Sequence, residues 1–241
     1  MHQLALQLRL RDASRIDGFV AGPNREAVAA VERIGREGGC SVTWLWGREG
    51  TGKTHLLQAA CALAGERGAA AAYLDLGVHH EPALLEGCET LGLVALDALD
   101  EAVAVPEWNR ALFRLHTLIE EAGGALLLAS RSAPASMAFT LPDLGSRLRA
   151  AAIFQLHELA ERDQLEALQR RAARRGLELS AESAAFLLHR LPRDLRSLCA
   201  MLDRLDEASL EARRRLTIPF LRRALELDAA TGDPGGRPIS A

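Results

Sequence analysis

The sequence predicts an α/β protein with a parallel five-stranded sheet, followed by a small all-helical second domain. Short apolar runs alternate with helix-like segments as far as residue 157, an alternation typical of a parallel sheet covered on both faces. From Glu158 onward helical patterns follow one another without a strand between them. The chain has 241 residues, 49% of them hydrophobic, so it can bury a large core without a disulfide or metal.

The α/β part can be justified element by element. Residues 1–22 carry alternating leucines and predict an extended arm. Pro23 then suits the first turn of a helix that ends at a Gly-rich stop. Further helices are predicted over 55–68 and 107–122, with a short one within 141–150. The predicted strands, all short and apolar, are 41–46, 69–76, 91–97, 124–130 and 151–157. We therefore predict one α/β domain over 23–157.

The second domain is predicted over residues 158–227. Gly176, Ser180 and Pro192 punctuate its helical patterns. The predicted helices are 160–175, 180–190, 193–207 and 218–227. Residues 228–241 are rich in Gly and Pro and predict a flexible tail.

Composition excludes several classes of function. The net charge of −3 disfavours a broad electrostatic grip on nucleic acid. The four cysteines lie far apart with no CxxC spacing, which argues against a metal centre or a disulfide framework. No apolar run is long enough for a membrane span or a signal peptide. We expect a cytoplasmic protein without membrane contact.

A phosphate-binding loop is predicted at 47–54. GREGTGKT matches the pattern GxxxxGK[ST], follows an apolar strand and opens a helix, which is the context that this motif requires. Backbone N–H groups and the helix N-terminus would hold phosphate oxygens, and Lys53 would reach the β- and γ-phosphates. Lys53 is the only lysine beside 28 arginines. The residues that we assign to this loop are Gly47, Glu49, Gly50, Thr51, Gly52, Lys53 and Thr54.

A magnesium ion would need oxygen ligands beside that loop. We expect Thr54 to bind it directly and Asp97, which closes the strand LGLVALD, to hold it through water. Asp100 is the competing carboxylate, but Asp97 interrupts the apolar run before it. Ala98 stands where many P-loop ATPases carry the acid that activates water. The predicted site therefore binds nucleotide well and hydrolyses it poorly.

Two further positions could read the nucleotide. Ser130 ends the strand GALLLAS, where a polar group would face the γ-phosphate or the attacking water; alternatively Ser130 caps the strand and Arg131 is solvated. Arg193 opens a helix in LPRDLRSL and could reach back over the phosphates. Arg196 is its alternative, and a plain ion pair with a neighbouring aspartate explains either arginine equally well.

Arg147 is a candidate arginine finger. It lies in LPDLGSRLRA, before the last predicted strand, from where a guanidinium can enter the nucleotide site of a neighbouring subunit. Arg149 lies two residues away, and an ordinary surface arginine is the alternative reading of both.

Taken in this order, the motifs resemble the AAA+ domain of the DnaA family of replication initiators, and within it the Hda-type regulatory inactivators of DnaA. GREGTGKTHLLQAAC resembles the family's phosphate loop and implies that His55 lines the site. IDGFVAGPN (16–24) resembles the segment that packs against adenine, which implicates Phe19 and Val20. LPDLGSRL and LPRDLRSL resemble the segments with the arginine finger and the lid sensor, on Arg147 and Arg193. LTIPFLRRAL (216–225) resembles the Hda C-terminal helix.

The N-terminal arm also resembles a docking peptide. QLALQL (3–8) resembles the QLxLxL peptide with which Hda proteins bind the β sliding clamp of DNA polymerase III, and implies that Gln3, Leu4, Leu6 and Leu8 make the contact. The alternative is an edge strand of the protein's own sheet.

The resemblance implies a negative regulator of replication initiation. Such a protein binds ADP (or ATP) with Mg²⁺, docks on the DNA-loaded clamp and stimulates hydrolysis of DnaA-bound ATP, with weak or no ATPase activity of its own. Its partners would be DnaA, the clamp, DNA indirectly through the clamp, and further copies of itself. Arg131 and Ala98 depart from acidic positions of DnaA. The alternatives are a DnaC-like helicase loader and a DnaA-like scaffold that does not stimulate hydrolysis.

Overall fold

A computed structural model describes residues 16–190 and 216–223, and the chain divides into two compact units after Glu158. In the first unit the strands are β1 (Ser41–Trp46), β2 (Ala71–Asp75), β3 (Leu93–Asp97), β4 (Ala125–Ser130) and β5 (Ala152–Gln155). Its helices are α1 (Arg25–Glu37), α2 (Lys53–Glu66), α3 (Pro106–Glu121) and α4 (Pro142–Arg149).

The five strands form one parallel sheet in the order β2-β3-β4-β1-β5, which confirms the predicted fold class. β1 lies between β4 and β5, and Trp46 pairs with Ser130 and with Gln155. Since β3 is also parallel and adjoins β4, the chain leaves β1, β3 and β4 at one edge of the sheet. The loop after β1 therefore emerges beside the ends of two neighbouring strands.

Each face of the sheet has its own core. Alternate residues of β4 divide between the faces: Leu127 packs with α1 and α2, whereas Leu128 packs with α3 and α4. The same alternation turns Leu93 and Ala95 of β3 toward α2. Because successive side chains of a strand point to opposite faces, the position of a polar residue in its strand determines which helices it can contact.

Prolines and glycines mark the ends of several helices, and Pro23 lies in a short 3₁₀ turn (Gly22–Asn24) that leads into α1. Pro106 and Pro142 occupy the first turns of α3 and α4, where a missing N–H is not needed. Gly38 and Gly123 follow α1 and α3 with φ values of 71° and 74°, a region that favours glycine. Within the described residues no helix combines the length and the apolar character that crossing a membrane requires.

The second unit is helical in its described part. It contains α5 (Glu161–Arg174), α6 (Ala181–Arg190) and a helical stretch at 218–223. The Ser180 hydroxyl accepts the N–H of Ser183 at 3.1 Å and caps the start of α6. Leucines form most of its core: Leu168, Leu177, Leu179, Leu187, Leu188, Leu216 and Leu221. The predicted helix 193–207 lies outside the described residues.

Candidate functional site

The loop after β1 needs glycine at two positions for steric reasons. A Cβ at Gly47 would collide with the carbonyl oxygen of Leu156, which is backbone and cannot move aside easily. Gly52 has φ 95°, and a Cβ there would lie 2.7 Å from the Phe19 ring. The loop is therefore wedged between the chain after β5 and the segment before α1, and its glycines permit that approach.

Lys53 is folded into this loop. Its Nζ donates to the carbonyl oxygens of Gly47 and Arg48 at 2.6 and 2.7 Å, and its side chain is buried. Burial lowers the pKa of Lys53, because the ammonium loses water, although the Asp97 and Asp100 carboxylates act in the opposite direction. A positive charge is thus held at the centre of the loop.

Thr54 and Asp97 form the second part of the site. The Thr54 hydroxyl donates to Asp97 Oδ2 at 2.6 Å, and the Tyr73 hydroxyl donates to the same oxygen at 3.1 Å. The other oxygen, Oδ1, accepts the N–H of Ala98 at 2.8 Å. Burial raises the pKa of Tyr73, and the neighbouring Asp97 charge raises it further. Tyr73 therefore stays a donor and orients the carboxylate.

These oxygens suit a magnesium ion. Mg²⁺ prefers hard oxygen ligands and commonly takes one or two protein groups, with water and substrate phosphates completing its octahedron. One hydroxyl and one carboxylate oxygen in contact match that requirement. Among the residues that the structure describes, no group of three or more His, Cys, Asp or Glu side chains could hold a metal by itself.

Phe19 and His55 form an aromatic side of the loop. Their ring centroids are 5.4 Å apart, and Phe19 also lies over Gly52. Val20 beside them is buried. The structure thus brings Phe19 of the predicted adenine segment next to His55 at the start of α2.

Asn24 fastens this side to the end of the first unit. Its side chain donates to the carbonyl oxygen of His157 at 2.9 Å and accepts the N–H of His157 at 2.8 Å. Asn24 is only 3% exposed. The two hydrogen bonds hold the chain just before Glu158, where the first unit ends.

The hydroxyl of Ser130, at the end of β4, has partners within the chain. The Ser130 hydroxyl lies on the α3 side of the sheet, where it accepts the Trp44 indole N–H at 2.8 Å and donates to Ser132 at 2.7 Å. Only its backbone carbonyl, which accepts the N–H of Gly47 at 3.2 Å, adjoins the phosphate loop. A phosphate contact of the Ser130 hydroxyl stays a prediction, and its present partners compete with it.

Asp100 connects the ends of β3 and β4. Its carboxylate accepts the backbone N–H groups of Arg131 at 2.6 Å and Ser132 at 2.9 Å. Burial by itself would raise the Asp100 pKa, but these hydrogen bonds outweigh it and the pKa is lowered. Arg131 also pairs with Glu101 at 2.6 Å. Asp100 is therefore a structural cap, which leaves Asp97 as the carboxylate at Thr54.

Arg147 and Arg149 lie on α4, on the other face of the sheet from α2. The Arg147 guanidinium is 4.8 Å from the centre of the Phe113 ring. Arg149 donates to the carbonyl oxygens of Pro134 and Met137 at 3.0 and 2.7 Å, and lies over the Phe139 ring. Two arginines that the sequence could not separate are thus held in different ways.

Some predicted residues cannot be placed, and some important ones were not predicted. Gln3, Leu4, Leu6, Leu8 and Arg193 lie outside the described residues. Glu49 is exposed on the phosphate loop. Tyr73 and Asn24 were missed. Tyr73 is the only tyrosine of the chain and stands in an alanine-rich strand, a signal that could have drawn attention to it.

Comparison with known proteins agrees with this architecture. Domain III of the Thermotoga maritima replication initiation protein DnaA matches with a TM-score of 0.75 and 17% identity, over 89% of this chain and 96% of that one. AMPPCP-bound DnaA from Aquifex aeolicus matches with a TM-score of 0.68 and 21% identity, over 93% of this chain and 71% of that one. The Thermotoga maritima RuvB Holliday junction branch migration motor matches with a TM-score of 0.60 and 15% identity, over 84% of this chain and 67% of that one. At these identities the likeness establishes an AAA+ fold.

A family model adds information on the second unit. Residues 161–225 match the model described as Hda, lid domain. The match begins with α5 and extends beyond the helical stretch at 218–223. The helices after the sheet therefore carry a sequence signal more specific than the likeness in fold, which extends over 84–93% of the chain.

Proposed function

This chain is an Hda-like, DnaA-related AAA+ protein, and from this premise we propose that it is a negative regulator of replication initiation. In this proposal it binds ADP, docks on the DNA-loaded sliding clamp and stimulates hydrolysis of ATP bound to DnaA. The observation that carries the proposal is the state of Arg147. Among the described residues the Arg147 guanidinium has a ring contact and no hydrogen bond, so its N–H donors remain available to a partner's phosphate.

Nucleotide binding is supported by the loop and by the related structures. Lys53 places a cation at the loop centre, and backbone N–H groups precede the start of α2. Related DnaA structures carry AMPPCP. We expect ADP or ATP to bind here with the aromatic side of Phe19 and His55 toward the base. We also propose Arg193, which lies outside the described residues, as a nucleotide-binding residue, and residues 158–227 as a lid domain.

Magnesium would be held by Thr54 directly and by Asp97 through water. When bound, the ion supplies charge neutralisation of the phosphate oxygens. The protein's own contribution is orientation, because Tyr73 and the Ala98 N–H fix both oxygens of Asp97.

Weak hydrolysis by the protein itself follows from the end of β3. Ala98 has no carboxylate to activate water, and Asp100 is committed to the backbone of β4. A site with phosphate and metal ligands but no base positioned after Asp97 favours retention of nucleotide over turnover. The bound nucleotide then serves to hold a conformation.

The clamp interaction rests on the arm. Gln3, Leu4, Leu6 and Leu8 would enter an apolar pocket of the β sliding clamp as an extended peptide. Docking raises the local concentration of the protein near DnaA, so a weak contact becomes sufficient. The protein would reach DNA only through the clamp. We also propose that it is cytoplasmic and associates with further copies of itself.

The test measures phosphate release from ATP-bound DnaA in the presence of the protein, ADP and DNA-loaded clamp. We expect Arg147→Ala to abolish stimulation, since arginine fingers contribute about 10³- to 10⁵-fold in rate. Arg114→Ala, which removes an exposed arginine from neighbouring α3, is the matched control and should keep stimulation.

The same assay separates the alternatives. Full stimulation by Arg147→Ala would refute the finger. High phosphate release by the protein without DnaA would favour a DnaC-like loader, and nucleotide binding without any stimulation would favour a scaffold. Deletion of residues 1–10 should abolish clamp binding and leave nucleotide binding intact; retained clamp binding would refute the role of the arm.

A further inference from the structure

We propose that Phe113 is a positioning residue for Arg147: its ring supports the face of the guanidinium and leaves the N–H edge accessible to a partner's phosphate. The inference rests on the proposed function, because Arg147 is the group that would act on nucleotide bound to DnaA. The distance of 4.8 Å from the guanidinium carbon to the ring centre is within the range of a cation–π contact.

The geometry of a stacked guanidinium explains why a ring is suitable. All five N–H donors of arginine lie in the guanidinium plane, so a contact on the face of that plane uses none of them. A carboxylate partner would instead occupy the edge that has to bind phosphate. Phe113 can thus restrict the motion of the side chain without competing for its donors.

Arg149 provides the contrast within the same helix. It also lies over a ring, that of Phe139, but two carbonyl oxygens occupy its edge. That arginine fastens α4 to the segment after β4 with two of its five donors. Of the two arginines, only Arg147 combines a ring contact with N–H donors that make no hydrogen bond to a described residue.

His116 lies one turn from Phe113 on α3. Its ring is buried, and its Nδ1 has no hydrogen-bond partner among the described residues. Burial lowers the pKa of His116, and the positive charge of Arg147 lowers it further against the opposing Glu120. The charge of Arg147 therefore acts on a second residue of α3, in keeping with its contact to the Phe113 ring.

The experiment compares Phe113→Leu with Phe113→Tyr in the assay of DnaA-bound ATP hydrolysis. Leucine keeps an apolar side chain without a ring, and tyrosine keeps the ring. We expect the leucine variant to lower the rate at saturating protein about two- to fivefold, the size that a surface cation–π contact is worth, and the tyrosine variant to retain it. Nucleotide affinity and the protein concentration at half-maximal stimulation should be unchanged.

NMR of the protein alone identifies the route of the effect. If Phe113 acts by holding Arg147, the Arg147 side-chain resonances lose their ring-current shift in Phe113→Leu and keep it in Phe113→Tyr, without DnaA being present. If the leucine variant fails to fold, Phe113→Met takes its place in every measurement.

Three results would overturn the proposal: an unchanged saturating rate for Phe113→Leu, an equal loss for Phe113→Tyr, or an Arg147 ring-current shift that persists in Phe113→Leu. They leave the proposed function intact as long as the unchanged protein stimulates hydrolysis. Stimulation that survives Arg147→Ala refutes the arginine finger and with it the role of Phe113, whereas the absence of stimulation by the unchanged protein refutes the proposed function.

Discussion

Two regions of the first unit differ in how their polar and charged side chains are held. One is the sheet edge with the phosphate loop, and the other is the α3–α4 face with Arg147. At the edge, Lys53, Thr54, Asp97 and Asp100 all have partners on neighbouring segments of the same chain. On the α3–α4 face, Arg147 has a supporting ring and no hydrogen bond within the described residues. The side chains at the sheet edge are thus held by hydrogen bonds within the chain, whereas Arg147 keeps its N–H donors for a ligand that another molecule supplies.

The largest expected effect comes from removing the positive charge of Lys53 in the phosphate loop. Lys53→Met should weaken ADP binding by roughly ten- to a hundredfold or more, because hydrogen bonds to charged groups contribute about 1.5–3 kcal/mol. Isothermal titration calorimetry measures the affinity. Arg48→Met, on the same loop but with 86% of its side chain exposed, is the matched control and should change it little. Equal losses in both variants would contradict the central place of Lys53.

The next effect concerns the two hydrogen bonds between the Asn24 side chain and the backbone of His157. Asn24→Ala removes both hydrogen bonds to the backbone of His157 and leaves a donor and an acceptor unpaired. We expect the free energy of unfolding to fall by about 2 kcal/mol, within the range for unsatisfied buried groups. Urea denaturation measures it, with the exposed Arg25→Ala as a control that should shift it by less than about 0.5 kcal/mol. A neutral Asn24→Ala would show that water replaces the side chain.

A third prediction separates the two arginines of α4. Arg149→Ala should lower the free energy of unfolding by about 1–1.5 kcal/mol, because two carbonyl oxygens lose a charged donor. Arg147→Ala should lower it by no more than about 1 kcal/mol, the value of an exposed cation–π contact. Thermal unfolding of both variants tests the order. The reverse order would mean that Arg147 is a structural residue.

The smallest effect is on the titration of His116. Burial lowers its pKa below 6.5, and the Arg147 charge contributes in the same direction against the opposing Glu120. Arg147→Ala should therefore raise the His116 pKa, which NMR of the ring protons can follow. An unchanged His116 pKa would place the guanidinium away from α3.

The same shift has a consequence for stability. Because the unfolded chain binds the proton more readily than the folded one, the free energy of unfolding is highest above pH 6.5 and falls as the pH drops from there through the lowered pKa of His116. His116→Gln should reduce this acid-side slope in urea denaturation. A slope that stays the same would assign it to other groups.

Local spacing explains how much the sequence could predict. The phosphate loop lies within eight residues, and Asp97 closes an apolar run, so both could be read along the chain. The alternation of strands and helices likewise predicted the sheet, which the structure confirms. The structure brings Lys53, Thr54 and Asp97 together, and their roles toward nucleotide stay predictions.

What the sequence could not reveal depends on contacts over long distances. Asn24 meets His157 across 133 positions, and Tyr73 meets Asp97 only because β2 pairs with β3. The sequence placed Ser130 correctly at the end of a strand. It could not show that the Ser130 hydroxyl lies on the same face of the sheet as Trp44, because that depends on how β4 pairs with β1. Arg147 and Arg149 differ only through the segments that they meet in space.

The backbone at Ala98 bears on how this protein could be changed into a fast hydrolase. Ala98 has φ 55°, the one positive value of a non-glycine residue in the described part of the chain. This left-handed conformation costs an L-residue roughly 1–2 kcal/mol, and aspartate and asparagine adopt it more readily than most. A designer who installs a water-activating acid there should therefore begin with aspartate, whose short side chain suits the turn, before glutamate.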